Sequence, residues 1–106
     1  MDSQIKKGVI EMCILMYISE KDQYGYPIMK KLAEYFPEND NSYIYAILRR
    51  LCSEGYTEVY DGTDSGGPLR KYYRVTEKGG VYLKEKKQEW KAINNIVKDF
   101  GMDANE

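Results

Sequence analysis

Residues 41–55 read Asn41-Ser42-Tyr43-Ile44-Tyr45-Ala46-Ile47-Leu48-Arg49-Arg50-Leu51-Cys52-Ser53-Glu54-Gly55, and the spacing of their apolar side chains is the key to the architecture. At about 100° per residue, Ile44, Ile47, Leu48 and Leu51 fall on one side of a helix. Ser42, Tyr45, Ala46, Arg49 and Ser53 fall on the other, with Tyr43 and Arg50 at the margins. Such a helix buries one stripe and turns hydroxyls, a tyrosine and a guanidinium outward. That outward face suits a nucleic acid, and taken alone it also suits plain solvent. Asn41 or Ser42 supplies the capping oxygen after a polar turn that begins at Glu38, and Gly55 ends the helix.

C-terminal to this helix lie Tyr56 to Tyr60 and Arg70 to Val75, two runs of β-forming residues around the glycine-rich loop Gly62 to Pro68. They predict a hairpin. In its second strand Arg70, Tyr72 and Arg74 alternate with Lys71, Tyr73 and Val75, so one face is basic and both carry a tyrosine. Gly66 and Gly67 let the backbone pass close to a surface, and Arg70 and Lys71 stand at the root of the loop. The loop fits neither the dinucleotide nor the Walker phosphate pattern. N-terminal to residue 41, Ile5 to Ile18 is apolar nearly all round from Val9 onward, which predicts a helix buried on two faces. Asp22 precedes Tyr24-Gly25-Tyr26-Pro27, and proline suits the first turn of a helix. Ile28, Leu32 and Tyr35 follow at helical spacing, and Pro37 stops this second helix.

The last element takes Thr76 as its cap and Glu77 in its first turn, and runs to about Phe100. Leu83, Trp90 and Val97 recur at intervals of seven, Ile93 and Phe100 fall three residues after two of them, and Lys86 takes the remaining slot. This is a heptad seam. A helix of some 24 residues is about 36 Å long, more than a core of this size covers. The stripe therefore calls for another copy of the chain, with Val9, Leu83, Trp90, Ile93, Val97 and Phe100 at the interface. The expected fold is mainly α (α+β). Residues 1–75 form a winged helix-turn-helix, and residues 76–106 form a long C-terminal dimerisation helix with a short tail.

Composition narrows the function. A chain of 106 residues holds one small domain, and with 16 Lys+Arg, 17 Asp+Glu and no His its formal charge is −1. Without histidine, a cysteine pair at metal-ligand spacing or a recognisable pair of acids, an enzyme, a metal site and a cofactor are all unexpected. Cys13 and Cys52 read as two free thiols. The longest apolar run, Met12 to Ile18, falls well short of the ~18–20 residues a bilayer span requires, and no signal segment opens the chain. A cytoplasmic location is the default.

All four arginines, Arg49, Arg50, Arg70 and Arg74, lie in one third of the chain. The guanidinium fork suits phosphate and guanine edges, and phosphate attraction depends on where positive groups stand rather than on their sum. The candidate contacts to double-stranded DNA are Ser42, Tyr43, Tyr45, Arg49 and Arg50 on the third helix and Gly67, Arg70 and Lys71 on the wing. In this arrangement the third helix enters the major groove, the wing touches the flanking backbone, and a dimer reads two half-sites. The competing reading is a winged-helix module that uses the same face to dock a protein.

Four segments carry a further resemblance: Gly8-Val9-Ile10-Glu11, Tyr24-Gly25-Tyr26, Tyr45-Ala46-Ile47-Leu48-Arg49-Arg50-Leu51 with Gly55, and Gly66-Gly67-Pro68-Leu69-Arg70-Lys71-Tyr72-Tyr73-Arg74-Val75-Thr76. In this order and spacing, over roughly residues 5 to 100, they resemble the PadR family of transcriptional regulators, and its short branch of multidrug-sensing repressors in particular. The resemblance implies a homodimeric repressor on an inverted-repeat operator, released by a small planar aromatic or phenolic molecule. It also implies an opening between the first and last helices of the two subunits, where a tryptophan stacks the effector. Trp90 matches that tryptophan, and by register Ile5, Gly8, Met12, Tyr82, Lys86, Ile93 and Asn94 line the opening. Trp90 equally suits a heptad position that only fills space. Lys86 stands where the compared members carry something small, so it either plugs the opening or favours an anionic ligand. Tyr43 replaces the usual Thr, so base preference at that contact does not carry over.

Overall fold

The computed structural model describes residues 1–102: α1 (Ser3–Glu20), β1 (Gln23–Tyr24), α2 (Gly25–Tyr35), α3 (Asn41–Ser53), β2 (Thr57–Gly62), β3 (Arg70–Val75) and α4 (Glu77–Asp99). The end of the expected tail, 103–106, lies outside the described residues. Ile44, Ile47, Leu48 and Leu51 of α3 are all buried. They gather with Ile10, Ile14, Leu15 and Ile18 of α1, with Ile28, Met29 and Leu32 of α2, and with Phe36. Each such side chain contributes about 1.5–3 kcal/mol relative to exposure, so this cluster holds the three helices at fixed angles.

Local signals place the helix ends. Asp2 caps α1 by accepting from the Gln4 and Ile5 amides at 3.0 and 3.2 Å. Pro27 sits in the first turn of α2, where its missing N–H leaves no partner unmet. The cap of α3 is Asp40, and not Asn41 or Ser42 as expected. Its carboxylate accepts from the Tyr43 amide at 2.9 Å and the Ser42 hydroxyl at 2.8 Å. The reason lies in the backbone: Asp40 is still extended, with φ −84° and ψ 170°, while Asn41 already belongs to the helix. Gly55, at φ +82°, closes the other end, and the amides of Gly55 and Tyr56 donate to the Cys52 and Leu51 carbonyls at 3.0 and 2.9 Å.

The expected hairpin is part of a three-stranded antiparallel sheet in the order β1-β3-β2. The added strand, Gln23 and Tyr24, pairs with Tyr73 and Tyr72. Two residues are too few to show alternation, so only the pairing reveals this strand. On the face turned from the core, Tyr72 stands between Tyr60 and Tyr24, with ring centroids 5.7 and 5.5 Å away. Arg70 lies 4.8 Å over the Tyr24 ring, and Arg74 lies 4.9 Å over Tyr60 while pairing with Glu58. The Tyr60 hydroxyl donates to Asp22 at 2.5 Å, which pushes the phenol above its usual pKa and ties the wing to the end of α1. Tyr73 and Val75, on the other face, pack on the core.

The long helix α4 starts inside the domain and leaves it. Thr76 caps it by accepting from the Gly79 amide at 3.0 Å and donates to the Gly55 carbonyl at 2.6 Å. Tyr82 stacks on Tyr56 at 4.1 Å, and Leu83 is buried in the core. Leu83 therefore packs within its own chain and is withdrawn from the expected dimer seam, because the first turns of α4 lie against α1. Further along, Ile93 and Ile96 are exposed and Phe100 is 90% exposed. The molecule measures 52 × 31 × 24 Å. Within one chain α1 is covered on one face only; Val9, Cys13, Met16 and Tyr17 of its second face form a wall of an open apolar groove of about 580 Å³, whose other wall includes Ile28, Leu32, Tyr35 and Phe36. Among the described residues no helix is long and apolar enough to cross a membrane, and no cluster could hold a metal ion. Cys13 and Cys52 are free, and burial pushes the Cys13 thiol up.

Candidate nucleic-acid interface

The stripe that α3 buries leaves Tyr45 and Arg49 exposed on its opposite side. Tyr45 lies across the start of α2 at Gly25, where a Cβ would stand 2.7 Å from the tyrosine hydroxyl, so the approach depends on glycine. The wing brings Arg70 and Lys71 to the same side. Together Tyr24, Gly25, Tyr26, Tyr45, Leu69, Arg70, Lys71 and Tyr73 line a cleft of about 380 Å³ between α2, α3 and β3. The first turn of α2 opens onto it with no side chain capping its amides, so the positive end of the helix dipole is left for another partner. A helix start, a guanidinium and an ammonium around one open space form a setting for an anion such as backbone phosphate.

The wing cations are poised without being locked. Lys71 pairs with Asp61 at 2.8 Å, but both side chains are largely exposed, and such pairs contribute little. Arg70 is oriented by the Tyr24 ring and carries no carboxylate partner among the described salt bridges. Gly67 is exposed and its amide donates to the Asp64 carbonyl at 3.0 Å, shaping the turn of the loop.

Two of the expected DNA contacts point elsewhere. Tyr43 is half-buried against the core, with Lys6 of α1 5.9 Å over its ring. Arg50 is paired with the buried Glu11 of α1 and, at 3.3 Å, with Glu54. Both sit at the margin of α3 that faces α1, where packing claims them; the helical spacing alone left them on the border. Ser42 is exposed with its hydroxyl proton given to Asp40. Sequence reasoning missed Tyr24, Tyr26, Leu69 and Tyr73 as neighbours of the site. The Tyr24-Gly25-Tyr26 motif was the available signal, read as the start of a helix and as part of the family resemblance but not as a wall of the site.

The residues implied for an effector opening lie on α1 and on α4 and differ in exposure. Ile5, Gly8, Ile93 and Asn94 are exposed, while Met12, Tyr82, Lys86 and Trp90 are half-buried. A Cβ on Gly8 would meet nothing within 4 Å. The Lys86 ammonium pairs with Glu89 at 3.3 Å, which raises its pKa, and lies 5.3 Å over the Tyr82 ring. None of these eight residues lines the apolar groove between α1 and α2.

Comparison with known proteins bears on all of this. A crystal structure of a PadR-like transcriptional regulator from Bacillus cereus is 39% identical, covering 92% of this chain and 96% of that one, with a TM-score of 0.84. A transcriptional regulator from Streptococcus, 27% identical, covers 95% of this chain and 100% of its own, with a TM-score of 0.85. An uncharacterised protein of Lysinibacillus sphaericus is 36% identical over 104 residues, 92% of this chain and 93% of that protein. The sequence model of the PadR-like transcriptional regulator family matches residues 14–85, which span α2, α3, the wing and the first turns of α4. A winged fold with an exposed basic cleft, and this match over most of the chain, place it among DNA-binding regulators and not enzymes: the chain belongs to the PadR-like family of transcriptional regulators.

Proposed function

We propose that the chain represses transcription in the cytoplasm as a homodimer on an inverted-repeat operator. The cleft between α2, α3 and the wing carries this reading, because it puts Tyr45, Arg70 and Lys71 around one space beside the exposed Arg49. A groove-reading helix flanked by phosphate contacts is what a winged helix-turn-helix needs. Dimerisation is supported by complementary apolar surfaces. Ile93 and Ile96 on the outer half of α4 and Phe100 at its end lack cover, as does the groove walled by Val9, Cys13, Met16 and Tyr17. Packing the outer α4 of one copy onto α1 and α2 of the other satisfies both, with Val9, Trp90, Ile93, Val97 and Phe100 at the seam.

Selection from a random duplex pool tests the operator. The expected product is a palindrome with half-sites about 10 bp apart, one helical turn. Failure to enrich any duplex overturns the reading. The dimer also offers a place for a planar aromatic or phenolic effector, since Gly8 leaves open space on α1 and Trp90 keeps part of its indole accessible on α4. Trp90 is the only tryptophan of the chain, so flat dyes binding there quench its fluorescence. Unchanged emission at saturating dye makes Trp90 a packing residue.

A further inference from the structure

The two side chains that α3 presents along its margin, Tyr43 and Arg50, are both held by α1. Lys6 lies over the Tyr43 ring and reaches Glu38 at 3.8 Å, while Glu11 pairs with Arg50 one and a half turns further along α1. The Glu11 side chain is only 10% exposed and that of Arg50 32%. The Arg50 Nε is buried with no hydrogen-bond partner. As a device for stability this pair is poor. Stripping water from a carboxylate and a guanidinium costs about what their attraction returns, and an unsatisfied N–H adds to the cost. An apolar pair of similar volume would serve stability as well or better.

An ion pair does have direction, which the apolar stripe of α3 lacks. Ile44, Ile47, Leu48 and Leu51 gain nearly the same burial if the helix turns slightly about its axis, because hydrophobic attraction is non-directional. A small turn moves the tip of a long outward side chain the most, since it lies furthest from the axis. Arg49, the immediate neighbour of Arg50, is such a side chain. We propose that the pair between the buried Glu11 and the half-buried Arg50 sets the rotation of α3, making Glu11 a positioning residue for sequence discrimination by Arg49 and Tyr45. The proposal rests on reading the outward face of α3 as the face that meets DNA.

The test measures affinity at fixed salt for the duplex that the wild-type protein selects and for a scrambled duplex. Two variants are compared with wild type: Glu11→Gln, and the apolar pair Glu11→Leu with Arg50→Met. Glu11→Gln should bind the scrambled duplex as wild type does, while its preference for the selected duplex falls about tenfold, as expected when a base contact goes out of line. The apolar pair should melt at or above the wild-type temperature and still show the lowered preference. A folded apolar pair with wild-type preference overturns the proposal, and so does wild-type preference in Glu11→Gln. If Glu11→Gln does not fold, the apolar pair decides alone; if that too does not fold, the pair holds the fold rather than aiming the helix, and the proposal fails. Should the wild-type protein select no duplex, the DNA reading itself falls, an outcome distinct from all of these.

Discussion

The winged part of the chain and the outer half of α4 place their apolar side chains in opposite ways. In the first, Ile10, Leu15, Leu48 and Leu51 are wholly enclosed, and side chains cap the starts of α1 and α3. In the second, Ile93 and Ile96 are about half exposed and Phe100 almost fully, though their spacing is as regular as that of α3. Both regions are amphipathic helices by pattern. What separates them is whether the chain itself supplies a second surface. The first turns of α4 find one on α1 and bury Leu83; by Ile93 the helix has run past the domain. A regular stripe thus says that a helix has a partner without saying whether the partner lies in the same molecule.

The largest effect expected is inside the winged part. Leu48→Ala should lower the unfolding free energy by about 2–5 kcal/mol in a urea titration, because the surrounding helices cannot close fully on the cavity. A loss below about 1 kcal/mol would dissolve the contrast with α4. On the other side, Ile93→Asp with Phe100→Ser should leave the circular dichroism of the winged part intact and turn the particle into a monomer by sedimentation. The apolar area withdrawn corresponds to a weakening of more than about a hundredfold in self-association. A dimer that persists would show that the exposed seam is not the one that pairs.

Two smaller effects separate base reading from phosphate contact. Arg49→Ala should weaken binding to the selected duplex by about 1–3 kcal/mol without changing the melting temperature. Replacing Arg70 and Lys71 together by Ala should weaken binding to every duplex and reduce the slope of log affinity against log salt by about one to two. A slope that does not move takes the wing off the phosphate backbone.

The smallest effect concerns the cap of α3. The bonds from the Tyr43 amide and the Ser42 hydroxyl hold the Asp40 carboxyl below its ordinary 3.8, so its contribution is complete above that value and disappears as pH falls through it toward the folded-state value. Asp40→Asn keeps a capping oxygen and removes the charge. The melting temperatures of the two proteins should differ slightly at neutral pH and converge in acid; a gap that stays constant would show that the charge is not involved.

Much of the architecture was legible because local rules carried it. The alternation of Arg70 to Val75, the stripe of α3, Pro27, Gly55 and the cap at Thr76 are one-dimensional signals, each tied to a hydrogen bond or a burial pattern within a few residues. The candidate site was legible in its exposed parts, Tyr45, Arg49, Arg70 and Lys71. Tyr43 and Arg50 escaped it, since a residue at the margin of a helix is assigned inward or outward by its neighbour, and the neighbours here, Lys6 and Glu11 of α1, lie more than thirty residues earlier. Tyr24 escaped for a related reason: its strand exists only by pairing with Tyr72.

From the order of residues alone come the helices, the hairpin, the basic outward face and the unsatisfied seam, because periodicity, capping and turn chemistry act over one or two turns of chain. The fold in three dimensions assigned Arg50 to Glu11, Leu83 to the core and Tyr26 and Leu69 to the cleft. Those assignments depend on which surfaces meet across long stretches of chain, and no local spacing encodes such a meeting.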